Sequence, residues 1–326
     1  MSYIWDFRES GIQKSEVRSQ KSEVGSRESG VGSRASGTLE SHHTTIAPIS
    51  PSLSLNSLSP HLPIFPSLPL LPVPCSLLPL LHMLTNRIIA HRGASNCAKE
   101  NTIEAYEKAI EIGADFIEFD VRITKDGVLI SHHDPMIANQ AISQLSFGEI
   151  NRIAGQQGFR VPTVEEVLKL TRNKIKLAVE LKEEGYEEKV LALVMGYIKI
   201  DNFIILSFNI SSLRCIKNKY PEVKTGLLLS KKKNKFLIIL LRSLGILVFQ
   251  KLIRLTPDIL ALQWETLKFG LLKIAAKQGK PVFVWTVNDK KMIGELLNDN
   301  RVDGIISDQP DLARKLLTNL EYTLRH

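Results

Sequence analysis

The residues best suited to chemistry in this sequence are two histidines, an arginine and two carboxylates that lie close together. His91 and Arg92 follow one short apolar run, and His133 follows another. Glu118 and Asp120 stand two positions apart between them. Paired carboxylates supply the hard oxygen ligands that suit Mg²⁺ or Ca²⁺ better than softer metals. Because histidines transfer protons and arginine pairs with phosphate oxygens, the set predicts a metal-assisted site for a phosphate ester.

The carboxylate pair lies in a stretch with the alternation of a β-strand. Ile117, Phe119 and Val121 would share one face of that strand. Glu118 and Asp120 would share the other face. This pattern fits a barrel strand that aims its acids at the barrel mouth. On spacing alone it fits equally well an exposed strand edge whose acids are solvated.

Two apolar runs end in the polar residues that flank the carboxylate pair. Residues 87–91 run into His91, and residues 128–133 run into His133 before a proline stops the element. Active-site residues of parallel barrels gather at such strand ends. A single histidine is more often structural, but two beside a carboxylate pair favour a site. His132 would point away from His133 in a regular strand and is interpreted as structural.

The stretch Lys176–Lys182 has a similar alternation. Its apolar residues share one face, while Glu180 and Lys182 project from the other. This charged face is compatible with a functional site and also with a salt-bridged barrel interior.

From Arg87 onward, strand and helix patterns alternate along the chain, which is typical of a parallel α/β barrel. The length of this part is close to the ~250 residues of a (β/α)8 TIM barrel, which is the predicted fold class. After the first strand, Asn101 is predicted to cap a helix that ends at Gly113. Further strands are predicted at 128–133, 175–182, 203–208, 224–229, 259–264, 281–287 and 304–306.

Residues 1–86 differ from the barrel in composition. A seven-residue repeat rich in Ser, Gly and charge lacks the apolar seam of a coiled coil, so disorder is expected. The apolar segment 62–84 is interrupted by six prolines, which argue against a membrane-spanning helix. The sequence therefore predicts a disordered extension over 1–86 and a barrel domain over 87–326. Met83 is our hypothesis for the natural start of translation.

Charge and cysteine content narrow the class of protein. A net charge of +8 suits an anionic substrate or a membrane surface, and nothing resembles a nucleic-acid-reading module. Three cysteines without a Cys-x-x-Cys pair indicate no disulfide framework, so a cytoplasmic location is expected. Within the basic and apolar segment 231–254, the apolar stretch 236–249 has only fourteen residues, is interrupted by Arg242 and is too short to span a bilayer. It is interpreted as an outer barrel helix, with peripheral contact to anionic lipid as the alternative.

An ordered series of motifs runs through residues 87 to 320. The motifs are His91-Arg92-Gly93-Ala94, Glu100-Asn101-Thr102, Gly113-Ala114-Asp115, Glu118-x-Asp120-Val121, Thr124-Lys125-Asp126-Gly127, His133-Asp134, Pro162-Thr163-Val164-Glu165-Glu166-Val167, Glu180-Leu181-Lys182, Ser207-Phe208, Val284-Trp285-Thr286-Val287-Asn288 and Val302-Asp303-Gly304-Ile305-Ile306-Ser307-Asp308-Gln309-Pro310. In this order and number they resemble the glycerophosphodiester phosphodiesterase family.

The resemblance implies a hydrolase of lipid and glycerol metabolism that cleaves small glycerophosphodiesters to an alcohol and sn-glycerol 3-phosphate. It implies one divalent cation, Mg²⁺ or Ca²⁺. The implied site residues are the metal ligands Glu118, Asp120 and Glu180, the substrate-binding residues Arg92, Lys182 and Trp285, the base His91 and the acid His133. The resemblance also implies that Glu100 and Asn101 organise the site, although a helix cap explains Asn101 equally well. A lysophospholipase D at the membrane surface and a non-catalytic phosphodiester-binding barrel are the alternatives.

Overall fold

The computed structural model describes residues 87–230 and 257–325. Within these ranges eight parallel strands close into a barrel, because the first strand pairs with both the second and the last. The predicted (β/α)8 fold is therefore confirmed. The predicted extension 1–86 and the segment 231–254 lie outside the described residues. In their order around the barrel, the strands are β1 (Arg87–His91), β2 (Phe116–Ile123), β6 (Lys176–Leu181), β7 (Phe203–Ser207), β8 (Thr225–Leu229), β9 (Ile259–Gln263), β10 (Val282–Trp285) and β11 (Gly304–Ser307).

Helices connect the strands. They are α1 (Ile103–Ile112), α2 (Phe147–Gln156), α3 (Val164–Thr171), α4 (Glu187–Tyr197), α5 (Ile210–Lys219), α6 (Leu271–Lys277), α7 (Lys290–Leu297) and α8 (Pro310–Arg325). Helices α2 and α3 each begin with a complete capping box, at Ser146 and Thr163 respectively. In the part of the chain that the structure describes, no helix is long and apolar enough to cross a membrane.

Alternation along the strands divides the apolar residues into two cores. Ile117 and Phe119 of β2 pack outward in a buried cluster that includes Tyr106 of α1, whose ring meets that of Phe119 edge to face at 6.2 Å. A smaller cluster, with Ala178 and Phe283 among its members, lies on the opposite face of the strands, inside the barrel. Because successive residues of a strand point to opposite faces, Glu118 and Asp120 of β2 lie on the inner side of the barrel.

Helix α1 begins one residue later than the sequence predicts. Thr102, not Asn101, is the N-cap, and its side chain accepts a hydrogen bond from the backbone N–H of Ala105. Asn101 has a left-handed backbone with φ of 56° and turns its side chain inward. The prediction of an Asn101 cap is therefore wrong, since the neighbouring threonine satisfies the helix end. The C-terminal stop at Gly113 is confirmed, with φ of 75°.

The run at 128–133 is a strand, but it is not one of the barrel strands. It forms the short strand β3 (Leu129–Ser131), which pairs antiparallel with β2. The connection from Ile123 to Leu129 turns at Gly127, whose φ is 79°. A link this short can join only antiparallel strands, because a parallel crossover needs a dozen or more residues. A second hairpin, β4 (Met136–Ile137) and β5 (Gln140–Ala141), follows β3.

Candidate active site

The strand register brings the predicted site residues to the carboxyl end of the barrel. His91, the last residue of β1, lies opposite Glu118 of β2. Asp120 of β2 in turn lies opposite Glu180 of β6, and Lys182 follows directly after β6. Residues that are far apart in the sequence are thus neighbours across parallel strands.

Three carboxylates form a buried cluster. Glu118, Asp120 and Glu180 each offer one oxygen within 4.8 Å of the others, and their exposed fractions are only 2%, 0% and 7%. Burial and the charge of Asp120 raise the pKa of Glu118 well above its ordinary value. Its Oε1 atom is buried and has no hydrogen-bond partner in residues 87–230 or 257–325. Oxygen ligands with an unsatisfied lone pair fit a divalent cation, so these residues could hold one.

Two cations flank this cluster. Lys182 Nζ donates to Glu180 Oε1 at 2.6 Å and lies 2.7 Å from Asp120 Oδ1. Arg92 Nη1 donates to Glu100 Oε2 at 2.8 Å, and its Nε lies 3.3 Å from Asp120 Oδ2. Although burial raises the pKa of Asp120, the charges of Lys182 and Arg92 outweigh it and hold that pKa below its usual range. Asp120 therefore stays ionised, as a metal ligand must be.

His91 is held by the carboxylate of Asp308, the residue directly after the last barrel strand. Its Nδ1 lies 2.6 Å from Asp308 Oδ1, while its Nε2 lies 4.0 Å from Glu118 Oε2. Burial raises the pKa of Asp308, but the hydrogen bond and charge of His91, together with the hydrogen bonds from Asn288 and Ser95, outweigh it and lower that pKa to about 2. An ionised carboxylate can only accept, so Nδ1 carries the proton and Nε2 faces the acidic cluster.

Asp308 is a candidate site residue to which the sequence motifs assign no role. Asn288 Nδ2 donates to its Oδ2 at 2.6 Å, and Ser95 Oγ donates to its Oδ1 at 3.1 Å. The sequence signal was its position directly after β11. Because Ala90 pairs with Ser307 across β1 and β11, the next residues, His91 and Asp308, are also neighbours.

His133 lies in the loop after β3, two residues beyond the end of that strand. Its Nδ1 lies 2.8 Å from Oδ1 of its neighbour Asp134. Burial, followed by the charge of Lys182, lowers the pKa of His133. His132 turns its Nε2 towards the carbonyl of Met136 at 3.4 Å, and it is not among the residues that line the cavity at the barrel mouth.

Asn101 holds Asp120 of the acidic cluster in a buried hydrogen-bond network. Its Nδ2 donates to Asp120 Oδ2 at 2.8 Å. Its Oδ1 accepts from the hydroxyls of Tyr106 at 3.0 Å and Ser131 at 2.9 Å. This buried network fixes the orientation of a predicted metal ligand, which accounts for the left-handed backbone of Asn101 better than a helix cap does.

A cavity of about 250 Å³ opens at the barrel mouth. Seven of the eight predicted site residues line it, whereas Asp120 is buried beneath them. The indole Nε1 of Trp285 donates to the carbonyl of Ala261 at 2.9 Å, and its ring packs edge to face against Phe208 at 5.7 Å. The cavity thus has a charged floor and an apolar wall, which is formed by Leu206, Phe208, Leu228, Trp285 and Ile306.

A protein-family model described as the Glycerophosphoryl diester phosphodiesterase family matches residues 91–312. The chain belongs to this family. The match confirms the enzyme class that the motifs predict. A glycerophosphodiester phosphodiesterase of Caldanaerobacter subterraneus is 33% identical over 248 residues, which cover 71% of this chain and 97% of that protein. A second protein of that name, from Bacillus subtilis, is 29% identical and covers 70% of this chain and 85% of its own length.

Solved structures share the barrel fold. The glycerophosphodiester phosphodiesterase of Thermotoga maritima has a TM-score of 0.60 and 25% identity, over 71% of this chain and 98% of its own. A phosphodiesterase of Oleispira antarctica, solved with the product sn-glycerol-3-phosphate, has a TM-score of 0.59 and 24% identity, over 71% of this chain and 96% of its own.

Proposed function

We propose that this enzyme is a metal-dependent hydrolase that converts glycerophosphodiesters to an alcohol and sn-glycerol 3-phosphate. The observation that carries the proposal is the single cavity lined by both histidines, both phosphate-binding cations and two of the three carboxylates, with the third directly beneath. The names of the bacterial relatives point to the same substrate class. The non-catalytic alternative requires a missing group, and every predicted catalytic group is present at this cavity.

Glu118, Asp120 and Glu180 would hold one cation, Mg²⁺ or Ca²⁺, which when bound neutralises charge on the phosphate and polarises phosphorus. Arg92 and Lys182 bind the non-bridging phosphate oxygens, the first through its planar fork and the second as a point charge. Both residues keep their positive charge, because nearby carboxylates outweigh burial and raise their pKa values.

His91 acts as the general base and His133 as the general acid. His91 Nε2 removes the proton from the attacking hydroxyl, which is the substrate's own neighbouring hydroxyl. As the new P–O bond forms, the bond to the alcohol breaks, and His133 gives its proton to the departing oxygen. Water then opens the cyclic phosphate with the two roles reversed. The Asp308 carboxylate supports this assignment, since it stabilises the imidazolium that forms on His91.

A second candidate function is lysophospholipase D activity with the same residues. The observation that favours it is the apolar wall of the cavity, which would suit an acyl chain as well as a small alcohol.

Hydrolysis of three substrates tests both functions. Glycerophosphocholine, glycerophosphoethanolamine and lysophosphatidylcholine are incubated with the enzyme in Mg²⁺, Ca²⁺ or EDTA, and release of the alcohol is measured. We expect turnover of the glycerophosphodiesters that EDTA abolishes and added metal restores. Faster turnover of lysophosphatidylcholine would favour the second candidate. A folded enzyme that cleaves none of them would contradict both and favour a binding role.

We further propose that a cytoplasmic enzyme meets lipid through the segment 231–254. The support is its sequence, in which Lys231, Lys232, Lys233 and Lys235 precede an apolar stretch. The residue directly before this segment, Ser230, lines the cavity at the barrel mouth.

Flotation with anionic liposomes tests this contact. Changing the four lysines to glutamate should reverse the charge and abolish flotation. The matched control changes four exposed lysines of the helical layer, Lys273, Lys277, Lys291 and Lys315, to glutamate and should float as the wild type does. Equal binding by all three proteins would reject the proposal.

A further inference from the structure

Arg122 is a buried arginine that the mechanism above does not use. It stands two residues after Asp120 on β2, and only 7% of its surface is exposed. Its Nε and Nη2 both donate to the backbone carbonyl of His133, at 2.9 and 2.6 Å. Its Nη1 pairs with the carboxylate of Glu183. One side chain therefore joins the loop that carries His133 to the segment directly after Lys182.

The loop needs such an anchor, because His133 does not belong to a strand. Strand β3 ends at Ser131, two residues earlier. The preceding residue, His132, donates its backbone N–H to the carbonyl of Asp120 at 3.1 Å. The side chain of His133 itself contacts Asp134, whose side chain is 69% exposed and therefore holds the ring weakly. Arg122 thus holds the backbone carbonyl of His133 directly, through two hydrogen bonds from a buried side chain.

The segment that carries Glu183, the other partner of Arg122, is also held in place. The hydroxyl of Tyr186 accepts hydrogen bonds from the backbone N–H groups of Lys182 and Glu183, at 2.9 and 3.0 Å, and donates to the carbonyl of Val121 at 2.8 Å. Glu183 is therefore a fixed partner for Arg122, and movement of His133 relative to Lys182 would break one of these contacts.

We propose that Arg122 is a positioning residue for the general acid: it holds His133 where its proton reaches the departing alcohol. This inference rests on the proposed role of His133. A lysine cannot replace Arg122, because an ammonium lacks the planar fork that contacts one carbonyl with two N–H groups and a carboxylate with a third. Misplacing a catalytic group by about 1 Å can cost on the order of 10²-fold in rate.

A comparison of two leaving groups tests the proposal. One substrate is glycerophosphocholine, whose alcohol must be protonated as it departs. The other is the glycerophosphodiester of 4-nitrophenol, whose anion departs without a proton. Because His133 is also the proposed base for opening the cyclic phosphate, the rate compared is the single-turnover release of the leaving group, choline or 4-nitrophenolate. With saturating metal, Arg122→Gln and Arg122→Lys should lower this rate for glycerophosphocholine by about 10- to 100-fold and change it for the nitrophenyl ester by less than about threefold.

Two further variants make the outcome specific. Arg314→Gln is the matched control, since Arg314 also binds a backbone carbonyl, that of Gly113, and a carboxylate, that of Asp115, but at the opposite end of the barrel. It should leave both rates unchanged. His133→Ala is the reference for the acid and should lower only the glycerophosphocholine rate.

Three outcomes would overturn the proposal. If His133→Ala is selective but both Arg122 variants slow the two esters equally, or slow neither, Arg122 does not position the acid and the proposed function stands. If His133→Ala slows both esters equally, the acid assignment fails and the role of Arg122 fails with it. Arg122→Lys keeps a positive charge beside Glu183, so it gives a folded variant for the comparison should Arg122→Gln unfold.

Discussion

Replacing Glu180 by alanine is expected to damage turnover as severely as replacing Glu118, by about 10³-fold or more. Both side chains offer an oxygen to the same buried cluster. A metal contributes several kcal/mol to a transition state of this kind, and about 1.4 kcal/mol corresponds to a tenfold change in rate. Glu180 comes from a different strand and a distant part of the sequence, so its effect tests whether the cluster acts as one site.

Measurements of metal binding distinguish a variant that has lost a metal ligand from one that has unfolded. At a metal concentration about 100 times its dissociation constant, the wild type should gain about 2.7 kcal/mol in its free energy of unfolding. Calorimetric titration should detect this binding. In Glu180→Ala, both the calorimetric signal and the metal-dependent gain in the free energy of unfolding should be lost. Glu188→Ala is the control, since that exposed carboxylate pairs only with the exposed Lys219 among the described residues. Near-normal turnover in Glu180→Ala would contradict the metal assignment.

Removing His91 or its carboxylate partner is expected to have the second large effect. His91→Ala should lower kcat by about 10²- to 10⁴-fold, the usual contribution of a general base. Asp308→Asn should lower kcat by about 10²-fold or more, because an amide can hold the ring with its proton on the wrong nitrogen. Steady-state kinetics on glycerophosphocholine measure both effects, and the melting temperature of each variant reports whether it is folded.

The double variant tests whether the two residues act as a unit. If Asp308 works only through His91, then His91→Ala with Asp308→Asn should be no slower than His91→Ala alone. Asp289→Asn serves as the control, because asparagine caps a helix as well as the aspartate that caps α7. Additive losses in the double variant would mean that Asp308 has a role independent of the base.

The parts of the site that the sequence predicts well are those fixed by strand periodicity. Alternation alone places Glu118 and Asp120 on the face opposite Ile117 and Phe119, and the structure has them there. The cavity also gathers the predicted side chain of Trp285, which is distant in sequence, because the carboxyl ends of parallel strands meet at one end of a barrel. The chemical role of each residue stays a prediction.

The errors arise where local signals compete or where pairing is not local. Asn101 and Thr102 are both good helix caps, and the sequence does not say which one the packing beneath Asp120 requires. The strand at 129–131 resembles a barrel strand in composition, and only the short link before it indicates an antiparallel partner. Arg122 and Asp308 are invisible to periodicity. Arg122 reaches His133 through the antiparallel pairing of β2 and β3, and Asp308 reaches His91 only when β11 pairs with β1.

The hydrogen bond between His91 and Asp308 joins the first strand of the barrel to the residue after the last. During synthesis the ribosome therefore releases every proposed metal ligand, both phosphate-binding cations and both histidines long before the carboxylate that orients the base. A nascent chain that has already assembled the charged floor of the cavity would still lack an oriented base until β11 completes the sheet. Orientation of the proposed base therefore depends on closure of the barrel by its last strand.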